Sequence, residues 1–152
     1  TIEEFQALVH ARHAAMLVQR DADRLASARV LAGHAFQAAQ QSGKPKGGRF
    51  KIKGVEFESK DALVAHILKL FEEQDGRCKI TGLTMVLHGS ETTAIEHERL
   101  ASLDRVSSNG NYAAANLQLL CNFINRWKGT SDDAHMKLLL QLVPKIHAHE
   151  SI

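Results

Sequence analysis

Two cysteines, Cys78 and Cys121, are the whole thiol complement of this 152-residue chain. They cannot build a disulfide framework, so a reducing compartment such as the cytoplasm is the simpler expectation. No apolar run approaches the length that would span a membrane. The opening residues, TIEEFQALVHARH, lack a basic segment followed by an apolar one, so no secretory signal is legible. A start at Thr1 instead of Met fits a processed product or a piece of something longer. Strong charge of either sign is missing too: 19 Lys and Arg against 17 Asp and Glu leave +2. That balance permits a polyanionic partner without arguing for one. No repeat or low-complexity tract is present, and the nine histidines are scattered. What remains, 44% hydrophobic and 24% charged, is the composition of a water-soluble globular chain with one real core, or a small domain plus an extension.

Residues 2–41 contain no proline and much alanine, and Ile2, Phe5, Leu8, Val9 and Met16 keep helical spacing. A second apolar series runs from Leu25 to Ala39. Between them QRDADR (19–24) is either a break or the solvated face of one helix; a break between two helices is the preferred expectation. This helical region, 1–42, needs a partner surface for its stripe, and a homodimer through these helices is one way to supply it. SGKPKGG (42–48) has linker composition. RFKIKGVEFES then alternates about Gly54, which predicts a β-hairpin with Lys53-Gly54 at the turn. Ile52 and Phe50 would face Val55 and Phe57, and Lys51 and Arg49 would face Glu56 and Glu58. Ser59 should cap a helix over DALVAHILKLFEEQ with Leu63, Ile67, Leu70 and Phe71 as its stripe. Residues 43–74 thus form a hairpin-plus-helix subdomain, one that could contact a partner.

From Asp75 to the end the texture becomes short strands and turns: RCKI, a Thr81-Gly82 turn, LTMVLH, then a polar loop GSETTAIEHER. ASLDRV reads as a strand, SSNGN as a turn, and NLQLLCNFINRWKG as a strand end followed by a helix closed at Gly129. Thr130 and Asp133 suggest a capping box for a last helix that Pro144 should stop.

The stretch ASLDRVSSNGNYAAANLQLLCNFINRWKG (101–129) carries the chemistry. It presents Asp104, then Asn116, then Asn125 nine residues further on, in the context C-N-F-I-N, with Lys128 one turn beyond. In these spacings residues 78–128 resemble the HNH endonuclease family. The resemblance implies a ββα-metal core, two strands and a helix about one divalent cation, Mg²⁺ or Mn²⁺, and hydrolysis of DNA phosphodiesters. It implies Asp104 and Asn125 as metal ligands and Asn116 as the residue that ties the loop by backbone hydrogen bonds. It also implies a prokaryotic or phage setting, in restriction, mobility or packaging. The chemistry is coherent on its own terms. A hard cation takes oxygen ligands and polarises the phosphoryl group, while a separate base activates water.

Arg105 departs from the usual pattern, which has histidine there. A guanidinium stays protonated at any working pH, so it can grip phosphate and offset charge but cannot accept a proton. The sequence is similar to a branch of the family in which arginine replaces that histidine and a tyrosine supplies the activating oxygen. Tyr112, the sole tyrosine, stands eight residues after Asp104. The extra Asn111 between Gly110 and Tyr112 is a departure bearing on the turn. A phenol near its ordinary pKa of about 10 needs help from Arg105 or a metal to ionise. His97 is the alternative base, with His88 behind it.

Relatives of this kind often carry zinc on two Cys-x-x-Cys pairs. Here the pairs read C-K-I-T and C-N-F-I, so a four-thiolate site cannot form. Apolar packing of Ile80 and Ile124 around two buried thiols is the expected replacement; a mixed site of Cys78, Cys121, His88 and His97 is the other option. Trp127 is expected as a core anchor. KPKGGRFKIK is the densest cationic tract, either a phosphate-tracking arm or a hairpin strand neutralised by Glu56 and Glu58. Lys44, Lys46 and Arg49 there, with Arg99, Arg126 and Lys128 in the motif, are the candidate DNA contacts. The expectation is therefore an α+β protein: a helical N-terminal region and small β-hairpin, then a nuclease core over 75–152 with a C-terminal helix. A DNA-binding remnant without catalysis and a helix-mediated interaction protein are the rivals.

Overall fold

A computed structural model describes residues 1–43 and 53–148, with side chains only as far as 143. The chain is α+β. Its elements are α1 (Ile2–Gln40), α2 (Lys60–Glu73), α3 (Ala94–Glu98), β1 (Ala101–Arg105), β2 (Leu117–Cys121), α4 (Asn122–Lys128) and α5 (Asp133–Ala148).

The N-terminal region is one helix of 39 residues, not two. Its start is fixed by a capping box in which the Thr1 hydroxyl accepts from the Glu4 amide and the Glu4 carboxylate binds the Thr1 amine. The polar patch does not interrupt it, because it contains neither glycine nor proline and its side chains satisfy one another along the helix. Gln19 donates to Asp23 one turn on (2.8 Å) and Arg20 pairs with Asp21. Positions 1–22 are all exposed; burial begins with Ser27, Ala28, Leu31, Ala32 and Ala35. All but Leu31 are small and admit α2 at close range, and Leu63, Ile67 and Phe71 of α2 fill the space with no exposure at all. Each such side chain contributes about 1.5–3 kcal/mol by leaving water. Ser59 caps α2 through the Ala62 amide, as its position predicts.

Gln74, just past α2, ties that helix to the sheet: its amide both donates to the Leu119 carbonyl (2.8 Å) and accepts from the Leu119 amide (3.0 Å). The 77–88 segment forms isolated bridges, Arg77 with Thr84 and Val86 with Leu100, in place of the expected strands. Its Thr81-Gly82 turn does form, with Gly82 at φ +72° and its amide bonded to the Cys78 carbonyl (2.8 Å). The loop expected at 89–99 holds the short helix α3, begun by a capping box between Thr93 and Glu96.

β1 and β2 form an antiparallel pair with Asp104 opposite Gln118 and Leu103 opposite Leu119. α4 follows β2 without a loop and ends at Gly129, φ +57°. Two further expectations fail at α5. Asp132, not Thr130, supplies the cap by accepting from the His135 amide (2.7 Å). Helical backbone also continues through Pro144 to Ala148, since a proline forfeits one rung of the ladder without forcing the chain out of it here.

The Arg49–Ile52 half of the hairpin expected about Gly54 lies outside the described residues. Its other half is engaged elsewhere. Val55 bridges Tyr112, the Tyr112 amide bonds the Gly54 carbonyl and the Glu56 amide bonds the Tyr112 carbonyl, both at 2.9 Å. Asn111 completes the clamp, accepting from the Gly54 amide and donating to Glu56, each at 2.8 Å. Glu56 therefore answers Asn111.

Candidate functional site

β1, the turn after it and α4 converge on a cleft of about 290 Å³ lined by Asp104, Arg105, Tyr112, Asn125, Arg126 and Lys53, among others. Four of the residues singled out by spacing are thus brought to one place by a strand, a turn and a helix from one short stretch of sequence.

Asp104 is 6% exposed and held from behind. Its Oδ2 accepts from Gln118 Nε2 (2.8 Å) and from Lys128 Nζ (3.0 Å); no other hydrogen bond reaches it among the described residues. Lys128, expected at phosphate, is instead enclosed. Its ammonium has no exposure and is bonded to the carbonyls of Arg105 (3.2 Å) and Val106 (3.4 Å), with Asp133 at 3.6 Å. The reason is desolvation: a cation one turn past Asn125 faces the buried carboxylate, and only that pairing makes its burial tolerable. Gln118 bridges Asp104 to Asp133, whose two oxygens it reaches at 3.0 and 3.1 Å. Gln118 was not singled out by sequence, and Asp133 only as part of a helix cap. The available signal was one polar residue in the buried strand LQLLC, directly opposite Asp104 in the register.

Asn125 donates its Nδ2 to the Ser102 hydroxyl (2.7 Å) and, at longer range, to the Leu103 carbonyl (3.4 Å). The Oδ1 is left as the acceptor. Asn116 closes the turn, with Oδ1 accepting from the Ser107 amide (2.8 Å) and Nδ2 donating to the carbonyls of Asn111 (2.9 Å) and Ser107 (3.1 Å). Gly110 makes room for it: a Cβ there would meet Asn116 Nδ2 at 2.6 Å.

Arg105 donates to the Gly110 carbonyl and lays its guanidinium over the Tyr112 ring, 5.3 Å from the centroid. Burial pushes the Tyr112 phenol above its usual value and the nearby Asp104 adds to this; Arg105 opposes both without overcoming them. The arginine therefore works in the direction the sequence reasoning requires, but it is not the larger effect.

His97, the alternative base, is exposed on α3 and lines another cleft, of about 340 Å³, with His34, His88 and Glu91. It does not line the cleft that holds Asp104 and Asn125, because α3 turns it towards α1. His88 is in the same second cleft, its Nε2 on the Ala101 carbonyl (2.9 Å) and its amide on Ser27 Oγ (2.7 Å). Arg99 spends its guanidinium on the Thr84 carbonyl (3.1 and 2.7 Å) and lines neither cleft. Arg126 does line the first cleft, while paired with Glu98. Lys44, Lys46 and Arg49 lie outside the described residues. Trp127, expected in the core, is 47% exposed on the outer side of α4.

Cys78 and Cys121 meet in the core. The neighbouring Cys121 thiol holds Cys78 down to about 5, while Cys78 and burial together push Cys121 up. Ile124 is fully buried beside them and Ile80 packs on the same core. His88 and His97 are not gathered with the thiols. Among the described residues, no three His, Cys, Asp or Glu side chains converge as a metal-binding group.

No protein-family model, no curated protein and no solved structure matches this chain.

Proposed function

We propose that the chain is a metal-dependent DNA endonuclease of the HNH type, hydrolysing phosphodiester bonds at the cleft between β1 and α4. The observation that carries this reading is the convergence of Asp104, Arg105, Tyr112 and Asn125 on that cleft, in a strand–turn–strand–helix unit with the spacing of a ββα-metal core. The donor set suits a hard cation such as Mg²⁺ or Mn²⁺: Asp104 retains an oxygen that its two donors do not use, and Asn125 has its amide nitrogen committed to β1 and its oxygen spare. When bound, such an ion polarises the phosphoryl oxygens and stabilises the leaving oxygen. Gln118 and Lys128 fix the Asp104 carboxylate, Arg105 binds the scissile phosphate, and Tyr112 would take the proton from the attacking water as its phenolate, which Arg105 and a bound cation together would have to favour over its burial. Arg126 and the Lys44–Arg49 tract hold flanking phosphates. Ser42 Oγ accepts from the Lys53 amide (2.7 Å), and Lys53 lines the cleft.

The test is nicking of supercoiled plasmid with Mg²⁺ and with Mn²⁺, comparing the native chain with Asn125→Ala. Metal-dependent nicking that Asn125→Ala abolishes supports the proposal; a native chain inert with both metals on duplex, single-stranded and branched DNA refutes it. The burial of Tyr112 favours the second reading, a DNA-binding module without catalysis, because it pushes the phenol up, against ionisation. The proposal also covers self-association. Ile2, Phe5 and Met16, each more than 60% exposed, form a stripe that a second copy of α1 covers. Sedimentation equilibrium finding a monomer at all concentrations counts against that.

A further inference from the structure

The cleft that holds Asp104 does not end at Tyr112. Leu103 and Tyr112 are shared with a narrower compartment of about 180 Å³, whose opposite wall is His34, Ala35 and Ala38 of α1. That compartment shares Leu31, His34 and Ser102 with the histidine-lined cleft. The three lie in series along β1, the second and third against α1, from Arg105 and Arg126 at one end to His88 and His97 at the other.

The lining changes along this groove in an ordered way. Guanidinium groups stand at the end where the proposed scissile phosphate sits. The middle is mixed, with Leu103, Ala35 and Ala38 beside the Tyr112 and His34 rings and Ser102. At the far end the rings of His34 and His88 meet edge to face, 6.3 Å between centroids, beside the Asn122 amide and the exposed His97. Glu91, the acid among these lining residues, also faces the far end, where a carboxylate can accept from base amino groups. A phosphate-binding end that leads into apolar and flat ring surfaces, with amide and carboxylate groups beyond, suits unstacked bases on a backbone. A compartment of about 180 Å³ with α1 as one wall and β1 as the other suits one base at a time.

We infer that the α1–β1 groove binds a single nucleic-acid strand running from the scissile phosphate, so that the substrate is unpaired on one side of the cut: a flap, an overhang or a melted end. This rests on the nuclease reading for its starting point, but it assigns α1 a part that the strand–turn–helix unit does not supply.

The test is fluorescence anisotropy of the full chain in EDTA, with a labelled oligothymidylate of about eight nucleotides, within the span such grooves cover, against a blunt hairpin duplex. The single strand is expected to bind about tenfold more tightly. Losing one base-stacking surface costs about fivefold or more, so His34→Ala should weaken the single strand by that factor while changing duplex binding less than twofold. Ala38→Trp, which plugs the middle, should do the same; His34 is exposed, so its truncation leaves folding intact if the tryptophan does not. Equal or tighter duplex binding overturns the inference, as does strand binding that neither variant weakens. The two proposals fail separately. A chain that nicks plasmid yet prefers duplex loses the groove and keeps the nuclease, and one that prefers the single strand but cuts nothing does the reverse.

Discussion

Replacing Asp104 with alanine is the obvious way to silence the proposed metal site, and the structure predicts that it will do more than that. Lys128 Nζ has no exposure and sits 3.0 Å from Asp104 Oδ2. Removing one partner of a buried ion pair costs about 3–5 kcal/mol, chiefly through the charge left behind. Lys128 keeps two carbonyls at 3.2 and 3.4 Å and Asp133 at 3.6 Å, so Asp104→Ala belongs at the low end, about 3 kcal/mol. Lys128→Met strands Asp104 with Gln118 alone and belongs at the high end, about 5 kcal/mol. For a chain of this size each kcal/mol moves the midpoint by roughly 2–4 °C, giving falls of about 6–12 °C and 10–20 °C. The double variant Asp104→Leu/Lys128→Met removes both charges and should be more stable than Lys128→Met alone. Urea unfolding of the four proteins measures this order. A cost below about 1 kcal/mol for either single variant would refute the claim that the pair is buried and mutually dependent. Asp104→Asn, which still accepts from Lys128, is then the cleaner control for activity.

Tyr112→Phe should lower nicking by about 100-fold or more if the phenol is the proton acceptor, with stability at neutral pH nearly unchanged; full retained rate excludes that role. Its folded pKa is raised, so the protonated phenol stabilises the fold below about 10, and that contribution is lost as pH rises through the raised value. Tyr112→Phe should therefore resist alkaline unfolding, and tyrosinate absorbance reports the sole tyrosine directly. His66 runs the other way. Burial, chiefly, lowers its pKa, so the neutral ring stabilises the fold above the ordinary value of about 6.5 and stability falls as pH drops through that region. His66→Leu should flatten the acid limb of a stability–pH profile. Gly110→Ala places a Cβ 2.6 Å from Asn116 Nδ2; displacing that amide from its turn should cost about 1–3 kcal/mol in urea unfolding.

What the sequence made legible was what depends on near neighbours. Asp104, Arg105, Tyr112, Asn116 and Asn125 lie within one strand–turn–strand–helix stretch, so their spacing alone nearly determines that they meet. The α2 stripe and the Ser59 cap are likewise local. What depended on distant packing was not legible. A polar patch inside a helical pattern has the same composition whether the helix breaks or continues, so α1 was misdivided. Lys128 lies one turn beyond Asn125, and only the arrival of α5 with Asp133 shows that its position points inward. His97 is the right residue type for a base but stands on the wrong wall of the molecule, since the segment that leads into α3 is held to α1 by contacts some sixty residues apart, such as that between His88 and Ser27. Asn111, a departure in the motif, proves to be the residue that fastens Gly54 and Glu56 to the turn.

The uninterrupted course of α1 has a consequence for how the protein melts. Its first 22 residues are exposed and are buried by none of the described residues, and a helix of roughly 30 Å without tertiary support is only marginally stable in water. In a single copy this arm is a separate cooperative unit from the body, and it should lose its helicity at lower temperature. Ellipticity will then fall in two steps, while fluorescence of the one tryptophan, Trp127 on α4, follows the body alone. Association of two arms would raise the first step with protein concentration and leave the second where it was.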